Sequence, residues 1–281
     1  MIVAVPTIGW MPKPGTYSFS QAKYGLQTAN EPYGLADAGN GILQLNASGN
    51  PIPYNPATAV ADRAANVGNP TANLTPFQTD VRLRSDRTDA NQMPADPVAY
   101  QAGYVDALIA RWGRAATGGV RYYALDNEPK LWDSTHRDVR GGDEPTKEEI
   151  RDYVIAYGSM IKDRDPTSQI MAADEWGWLD WKGYYPWLLA QMQAHHNTSG
   201  RRVLDFHTLH YYANVDGTEG SLAKLFSLNQ STRSLWDPRW VDKSWINSVI
   251  NLIPNMRTWV ASNYPGTKIG ITEYNLSLIH I

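Results

Sequence analysis

No cysteine occurs in the 281 residues, which excludes disulfides, thiolate metal sites and cysteine nucleophiles. No apolar run approaches the roughly 20 residues that a membrane-spanning helix requires. No basic cluster supplies the electrostatic footprint of a nucleic-acid binder. The expectation is therefore a chain with no membrane span and no nucleic-acid partner. Met1–Val5 leads straight into an apolar run, without the basic start and small-residue cleavage site of a secretory leader. Charge of either sign is modest: charged residues make up 19% of the chain, the net charge is −3, and hydrophobic residues account for 42%. That is an ordinary globular balance, in a chain long enough for one barrel-sized domain. Phenylalanine is scarce, 4 residues against 16 Tyr and 11 Trp. A purely apolar core has no reason to prefer rings with a polar edge, whereas a wet groove does. Sugars suit such a groove, because the C–H face of a pyranose stacks on a ring while its hydroxyls bond around it. A Tyr/Trp-rich core is the plain alternative.

Five short apolar runs read as buried strands: Ile2–Val5, Val120–Leu125, Ile170–Ala173, Leu204–Leu209 and Ile269–Thr272. Helical spacing recurs between them. Tyr104, Val105, Leu108, Ile109 and Trp112 form one such set. Ile150, Tyr153, Val154, Tyr157 and Ile161 form a second, behind a capping box of Thr146 and Glu149, with a stop before Pro166. A third helix is expected around Trp187–Ala194, and a fourth from Trp245 to Val260 with a kink at Pro254. Strands alternating with helices mean parallel βαβ units. The first connection is abnormal: residues 10–96 are rich in Asn, Pro, Gly and Ala and show little periodicity. A structureless stretch that long is suspect as a loop, so a folded excursion over one sheet face is expected. Five strands do not close an eight-stranded barrel. The reading is an α/β chain with an incomplete (β/α)8 TIM barrel over residues 1–275, roughly strands 3 to 7. The apolar end 276–281 fits no cap or turn and reads as a non-native tail.

Two motifs carry chemistry. Asp126-Asn127-Glu128-Pro129 follows the second strand, and catalytic groups of parallel α/β folds sit at the C-terminal ends of strands. Pro129 is expected to hold Glu128 in an extended conformation. Glycoside hydrolysis needs a carboxylic acid to protonate the leaving oxygen and gains from a hydrogen bond to the sugar 2-OH, which Asn127 is placed to make. Glu273, in Thr272-Glu273-Tyr274-Asn275, ends the fifth strand, where a second carboxylate belongs. For either Glu, a surface ion pair at a strand end is the alternative. His207 and His210 lie three apart on one strand, so they face opposite ways and cannot share a metal ion.

The stretch Tyr122-Tyr123-Ala124-Leu125-Asp126-Asn127-Glu128-Pro129, then Leu131-Trp132 and Thr135-His136-Arg137-Asp138-Val139, resembles the signature of glycoside hydrolase family 44. Asp37-Ala38-Gly39-Asn40-Gly41, Asp174-Glu175-Trp176-Gly177-Trp178, Leu209-His210-Tyr211-Tyr212 and the segment around Glu273 fall in the order of further motifs. The resemblance implies a (β/α)8 barrel with an accessory β-sandwich and retaining endo-attack on β-1,4-glucans, including cellulose derivatives and xyloglucan. Barrel glycosidases of this type carry acid/base and nucleophile on the fourth and seventh strands. That offset of three is the one counted here, and it assigns Glu128 as acid/base and Glu273 as nucleophile. The first two barrel strands, the last one and the sandwich are missing from the match.

Substrate contacts are expected from Asn127, Trp132, His136, Glu175, Trp176, Trp178, His210, Tyr212 and Tyr274, with Tyr212 also donating its hydroxyl to Glu273. Several of these rings read equally well as packed aromatics. No cofactor is required by this chemistry, and the Asp/Asn-rich early segment leaves room for a structural calcium, although no EF-hand pattern is present. The expected partner is a β-glucan, the expected location extracellular and the expected state monomeric. Three other readings stay open: a barrel xylanase or mannanase, a non-catalytic carbohydrate-binding protein, and a metal-dependent hydrolase.

Overall fold

All five apolar runs form strands in the computed structural model, which describes residues 1–8, 10–12, 74–78, 99–132, 144–212, 221–244 and 246–275. In chain order the elements are β1 (Ile2–Val5), β2 (Trp10–Pro12), β3 (Leu74–Gln78), β4 (Ala99–Tyr100), α1 (Gln101–Trp112), β5 (Tyr122–Leu125), α2 (Lys147–Arg164), β6 (Gln169–Glu175), α3 (Trp178–Ser199), β7 (Phe206–Tyr212), α4 (Leu222–Ser231), α5 (Leu252–Asn263) and β8 (Lys268–Asn275). The tail 276–281 and most of the 10–96 excursion, including any calcium site there, lie outside the described residues.

The chain divides into two units, one of residues 1–5, 112–128 and 147–281 and the other of residues 6–111 and 129–146. In the first, a five-stranded parallel sheet runs β1-β5-β6-β7-β8. A doubly wound sheet reverses its strand order at one point. Here spatial order follows chain order without reversal, which is the winding of a (β/α) barrel, and the sheet is an incomplete one. In β6, Ile170, Met171, Ala172 and Ala173 are all buried, as befits a parallel strand covered on both faces. The helices supply Val154 and Ile161 from α2, Leu188, Leu189 and Met192 from α3, and Met256 and Val260 from α5, all buried. Each such side chain contributes about 1.5–3 kcal/mol by leaving water.

Helix α2 carries Glu148 and Glu149 in its first turn and Lys162 and Arg164 in its last, the arrangement that suits the helix dipole. It stops before Asp165, whose carboxylate accepts the N–H of Ala115 at 2.7 Å and both the N–H and the hydroxyl of Thr167 at 3.0 and 2.6 Å. A Cβ at Gly158 would come within 2.7 Å of the Val203 carbonyl, so only glycine lets α2 lie this close to the segment leading into β7.

Three helix expectations need correction. Helix α3 does not start at Trp187 but runs from Trp178 through Pro186, and buried neighbours on both sides of the proline hold it helical despite the lost N–H. The fourth expected helix begins only at Leu252, so Pro254 sits in the first turn of α5, where no intrahelical N–H is needed and no kink results. Helix α4 was not expected, because its ten residues are too few to show a period.

In the second unit, β2 pairs antiparallel with β3, and β3 pairs parallel with β4, giving a three-stranded sheet. Helix α1 buries Ala102, Val105 and Leu108, and Lys130 pairs with Glu144 at 3.1 Å.

Candidate active site

The C-terminal ends of β5, β6, β7 and β8 bring a cluster of side chains together. After β5 the chain turns sharply. Asp126 and Glu128 adopt φ of 64° and 45°, the left-handed region that non-glycine residues rarely occupy. The Asp126 carboxylate accepts the N–H of Asn127 at 2.9 Å, and the Glu128 N–H donates to the Asp174 carbonyl at 3.1 Å. The extended conformation expected at Glu128 from Pro129 is therefore not what forms. Tertiary hydrogen bonds to both its N–H and its carboxyl override the local preference, as happens where function stores backbone strain.

The Glu128 carboxyl meets His210, with Nδ1 at 2.7 Å from Oε1. The same ring nitrogen lies 3.4 Å from Glu273 Oε2. The Tyr212 hydroxyl donates to that Glu273 oxygen at 2.5 Å. One oxygen of each carboxyl and the His210 nitrogen all lie within 4.8 Å of one another. The His210 side chain is 1% exposed, whereas those of Glu128 and Glu273 are 19% and 40% exposed. A buried imidazole thus lies beneath two carboxyls that solvent reaches. Among the described residues this trio is also the set of donors close enough to share one cation.

Burial and hydrogen bonding set the charge states nearby. The hydrogen bond to Glu273, followed by burial, pushes the Tyr212 hydroxyl up to about 12, so it remains a donor far above neutral pH. Burial raises the Asp174 carboxyl, against the opposing pull of the Thr272 and Thr208 hydroxyls. His207 points the other way from His210, packs its ring on Tyr185 and Trp259, and is lowered by burial to about 3.

The remaining expected residues divide clearly. Asn127 is exposed beside Glu128, and Trp176 is 43% exposed. His210 is buried and contacts the two carboxyls, so it is no groove-lining residue. Trp132 and Glu175 are corrected as well: both are 1% exposed and offer nothing to a sugar. Tyr274 pairs with Tyr211, one step along from the Glu273–His210 pair. Strand alternation turns it to the face opposite Glu273. Trp178 is described only by its backbone, in the first turn of α3, and His136 lies outside the described residues. The sequence reading missed Asp174 and Thr272. Asp174 was passed over for its neighbour Glu175, because regular alternation gives no hint of which of the two turns inward.

Comparison with known proteins adds four findings. The model of glycoside hydrolase family 44 matches residues 46–215. Endoglucanase A of Paenibacillus lautus is 32% identical over 210 residues, which cover 63% of this chain and 29% of that protein. Among solved structures, a bifunctional glucanase-xylanase from a metagenome library is 37% identical with a TM-score of 0.71, covering 98% of this chain and 53% of that one. A family 44 xyloglucanase of Paenibacillus polymyxa, solved with xyloglucan, shares the fold at 22% identity with a TM-score of 0.69, covering 99% of this chain and 50% of that one. The chain thus spans about half the length of these solved relatives.

Proposed function

The chain belongs to glycoside hydrolase family 44, and from that premise we propose that it carries the catalytic pair of a retaining endo-β-1,4-glucanase acting on cellulose derivatives and xyloglucan. The observation that carries this reading is the convergence of Glu128 and Glu273 on one buried imidazole, with oxygens of the two carboxyls within 4.8 Å of each other. Inverting enzymes hold their carboxyls roughly 6.5–9.5 Å apart to admit a water, and retaining ones about 5–5.5 Å. The short separation favours direct attack by one carboxylate.

In this mechanism Glu128 protonates the glycosidic oxygen while Glu273 attacks the anomeric carbon and displaces the leaving chain. Glu128, now a carboxylate, takes a proton from water as that water attacks the same carbon and releases Glu273. Tyr212 and His210 orient the nucleophile through its Oε2, and His210 also holds Glu128. Asn127, exposed next to Glu128, and Trp176, exposed directly after β6, supply a 2-OH contact and a stacking face. No step requires a cofactor. Because the substrate is a polymer too large to cross a membrane, the enzyme works outside the cell, and nothing in the reaction calls for more than one copy.

The test is reducing-end release by the full chain from carboxymethylcellulose and xyloglucan, set against xylan and mannan, with the first-formed anomer read by proton NMR. The expected product is the β-anomer from a glucan. An α-anomer would exclude retention. Xylan as the better substrate would move the reading toward the second activity in the name of the metagenomic relative. Polysaccharide binding without turnover would leave a carbohydrate-binding protein.

A further inference from the structure

Two irregularities in neighbouring strand pairs meet each other. Between β6 and β7 the register steps from Ala173↔Thr208 to Glu175↔Leu209, which leaves Asp174 as the extra residue. Between β7 and β8 it steps from Leu209↔Ile271 to His210↔Glu273, which leaves Thr272 as the extra one. Such bulges re-aim side chains and concentrate next to active sites. Here the side chains of the two extra residues bond to each other: Thr272 Oγ1 donates to Asp174 Oδ1 at 2.5 Å. The bond reaches from β6 to β8 past β7, whose fully buried Thr208 stands beside the same carboxyl. Asp174 also accepts the Glu128 N–H through its carbonyl at 3.1 Å, and Thr272 is joined by a peptide bond to Glu273. One residue therefore holds the Glu128 segment with its backbone and the Glu273 strand with its side chain.

We propose that Asp174 is a positioning residue that ties these two segments together through Thr272 and so sets the separation of the Glu128 and Glu273 carboxyls. The inference rests on the reading of those two residues as the reacting pair. Were Thr272 to pair regularly with His210 instead of standing out of register, Glu273 would fall opposite Tyr211 and turn to the other face of the sheet. The Thr272–Asp174 bond holds that irregularity in place. Packing alone does not account for Asp174. It is 3% exposed, and a buried carboxyl costs several kcal/mol unless it is hydrogen-bonded, so an apolar side chain would serve a core better. The groups of charge that face it are His210 on β7 and Glu273 on β8, the members of the cluster it positions. Its own φ of 53° is one more local cost that the hydrogen bonds offset.

The decisive variants are Thr272→Val, Thr272→Ser, Asp174→Ala and the double variant Asp174→Ala/Thr272→Val, all in the full chain. Active sites are counted by trapping with dinitrophenyl 2-deoxy-2-fluoro-β-cellobioside, whose dinitrophenolate leaves as the nucleophile is glycosylated, so that misfolded enzyme does not enter kcat. Thr272→Val is expected to lower kcat per trapped site by about 10–100-fold, the scale of a sub-ångström to 1 Å misplacement, with KM within about twofold. Thr272→Ser restores the hydroxyl and the rate. The double variant should cost no more than Asp174→Ala alone, because both remove one interaction. A fold staple without positioning would instead lower Tm and the number of trapped sites while leaving kcat per site within about twofold, and that result overturns the proposal. Failure of Thr272→Ser to restore the rate does the same. If the unaltered enzyme turns over no glycan, the functional reading fails separately. The crystal structure of Thr272→Val then decides: a carboxyl separation unchanged within about 0.5 Å overturns the positioning role, and a wider one sustains it.

Discussion

Glu128→Gln separates an acid/base from every lesser role this residue could have. The amide matches the carboxyl in shape and offers both an acceptor oxygen and a donor NH2 to His210 Nδ1 across the 2.7 Å contact, so the cluster keeps its geometry. What disappears is the transferable proton. Positioned acid/base groups are worth about 10²- to 10⁴-fold, or roughly 2.7–5.4 kcal/mol at about 1.36 kcal/mol per decade. A β-glucan, whose leaving group is an alcohol, should show that entire loss. Dinitrophenyl β-cellobioside has a leaving group that needs no proton, so attack by Glu273 proceeds and the glycosyl-enzyme accumulates. The signature is a fast burst followed by slow turnover, with kcat and KM falling together. Azide, a nucleophile that needs no base, should then restore turnover and give the β-glycosyl azide. Stopped-flow release of dinitrophenolate with and without azide reads all of this. Equal losses on both substrates with no azide response would refute the acid/base assignment, because a misplaced or merely structural Glu128 cannot tell the leaving groups apart.

Tyr212→Phe removes the 2.5 Å donor to Glu273. Hydrogen bonds to charged groups are worth about 1.5–3 kcal/mol. With Tyr212 45% exposed, water recovers part of that, so kcat/KM should fall about 5–30-fold, and a change under twofold would show that the bond does not orient the nucleophile. Since the hydroxyl titrates near 12, the alkaline limb should be identical in both proteins up to pH ~10. His207 is neutral in the fold down to about 3, whereas an unfolded histidine protonates near ~6.5. The unfolded chain therefore binds more protons below that pH, and stability should fall as pH drops from ~6.5 toward ~3, by up to about 1.36 kcal/mol per unit. His207→Phe keeps the ring against Tyr185 and Trp259 and should flatten this slope in denaturant titrations; equal slopes would disprove the assignment. Asp165→Ala strands two N–H groups and a hydroxyl and should cost about 2–4 kcal/mol of unfolding free energy at unchanged m. Chelators should leave turnover on xyloglucan intact, and loss of activity restored by one divalent cation would favour a metal-dependent hydrolase.

The parallel winding was legible because β1, β5, β6, β7 and β8 announce themselves as short apolar runs, of which β6 and β7 are buried nearly throughout. Glu128 and Glu273 were legible because each stands at such a run's C-terminal end. Helix limits were less so. Pro186 and Pro254 carry the same covalent restriction but end up in the middle of one helix and the first turn of another, and only the surrounding burial distinguishes the two. Trp132 shows the limit for single residues: an indole after a catalytic strand serves equally well as a platform or as core, and 1% exposure makes it core.

The residues that were missed share one cause. Sequence periodicity assigns a strand residue to a face by counting in twos, and a bulge breaks that count at a single, compositionally ordinary position. Counting in twos along Gln169–Glu175 and Lys268–Asn275 gives no reason to choose Asp174 and Thr272, yet the extra residue in each strand is the one that bonds to its counterpart. The same shift brings Glu273 level with His210, so that the carboxyl, the imidazole and Tyr212 share a face. The irregularities are thus what convert five regular strands into a reactive cluster. They become visible only through a pairing partner on the next strand, which no local reading of one strand contains.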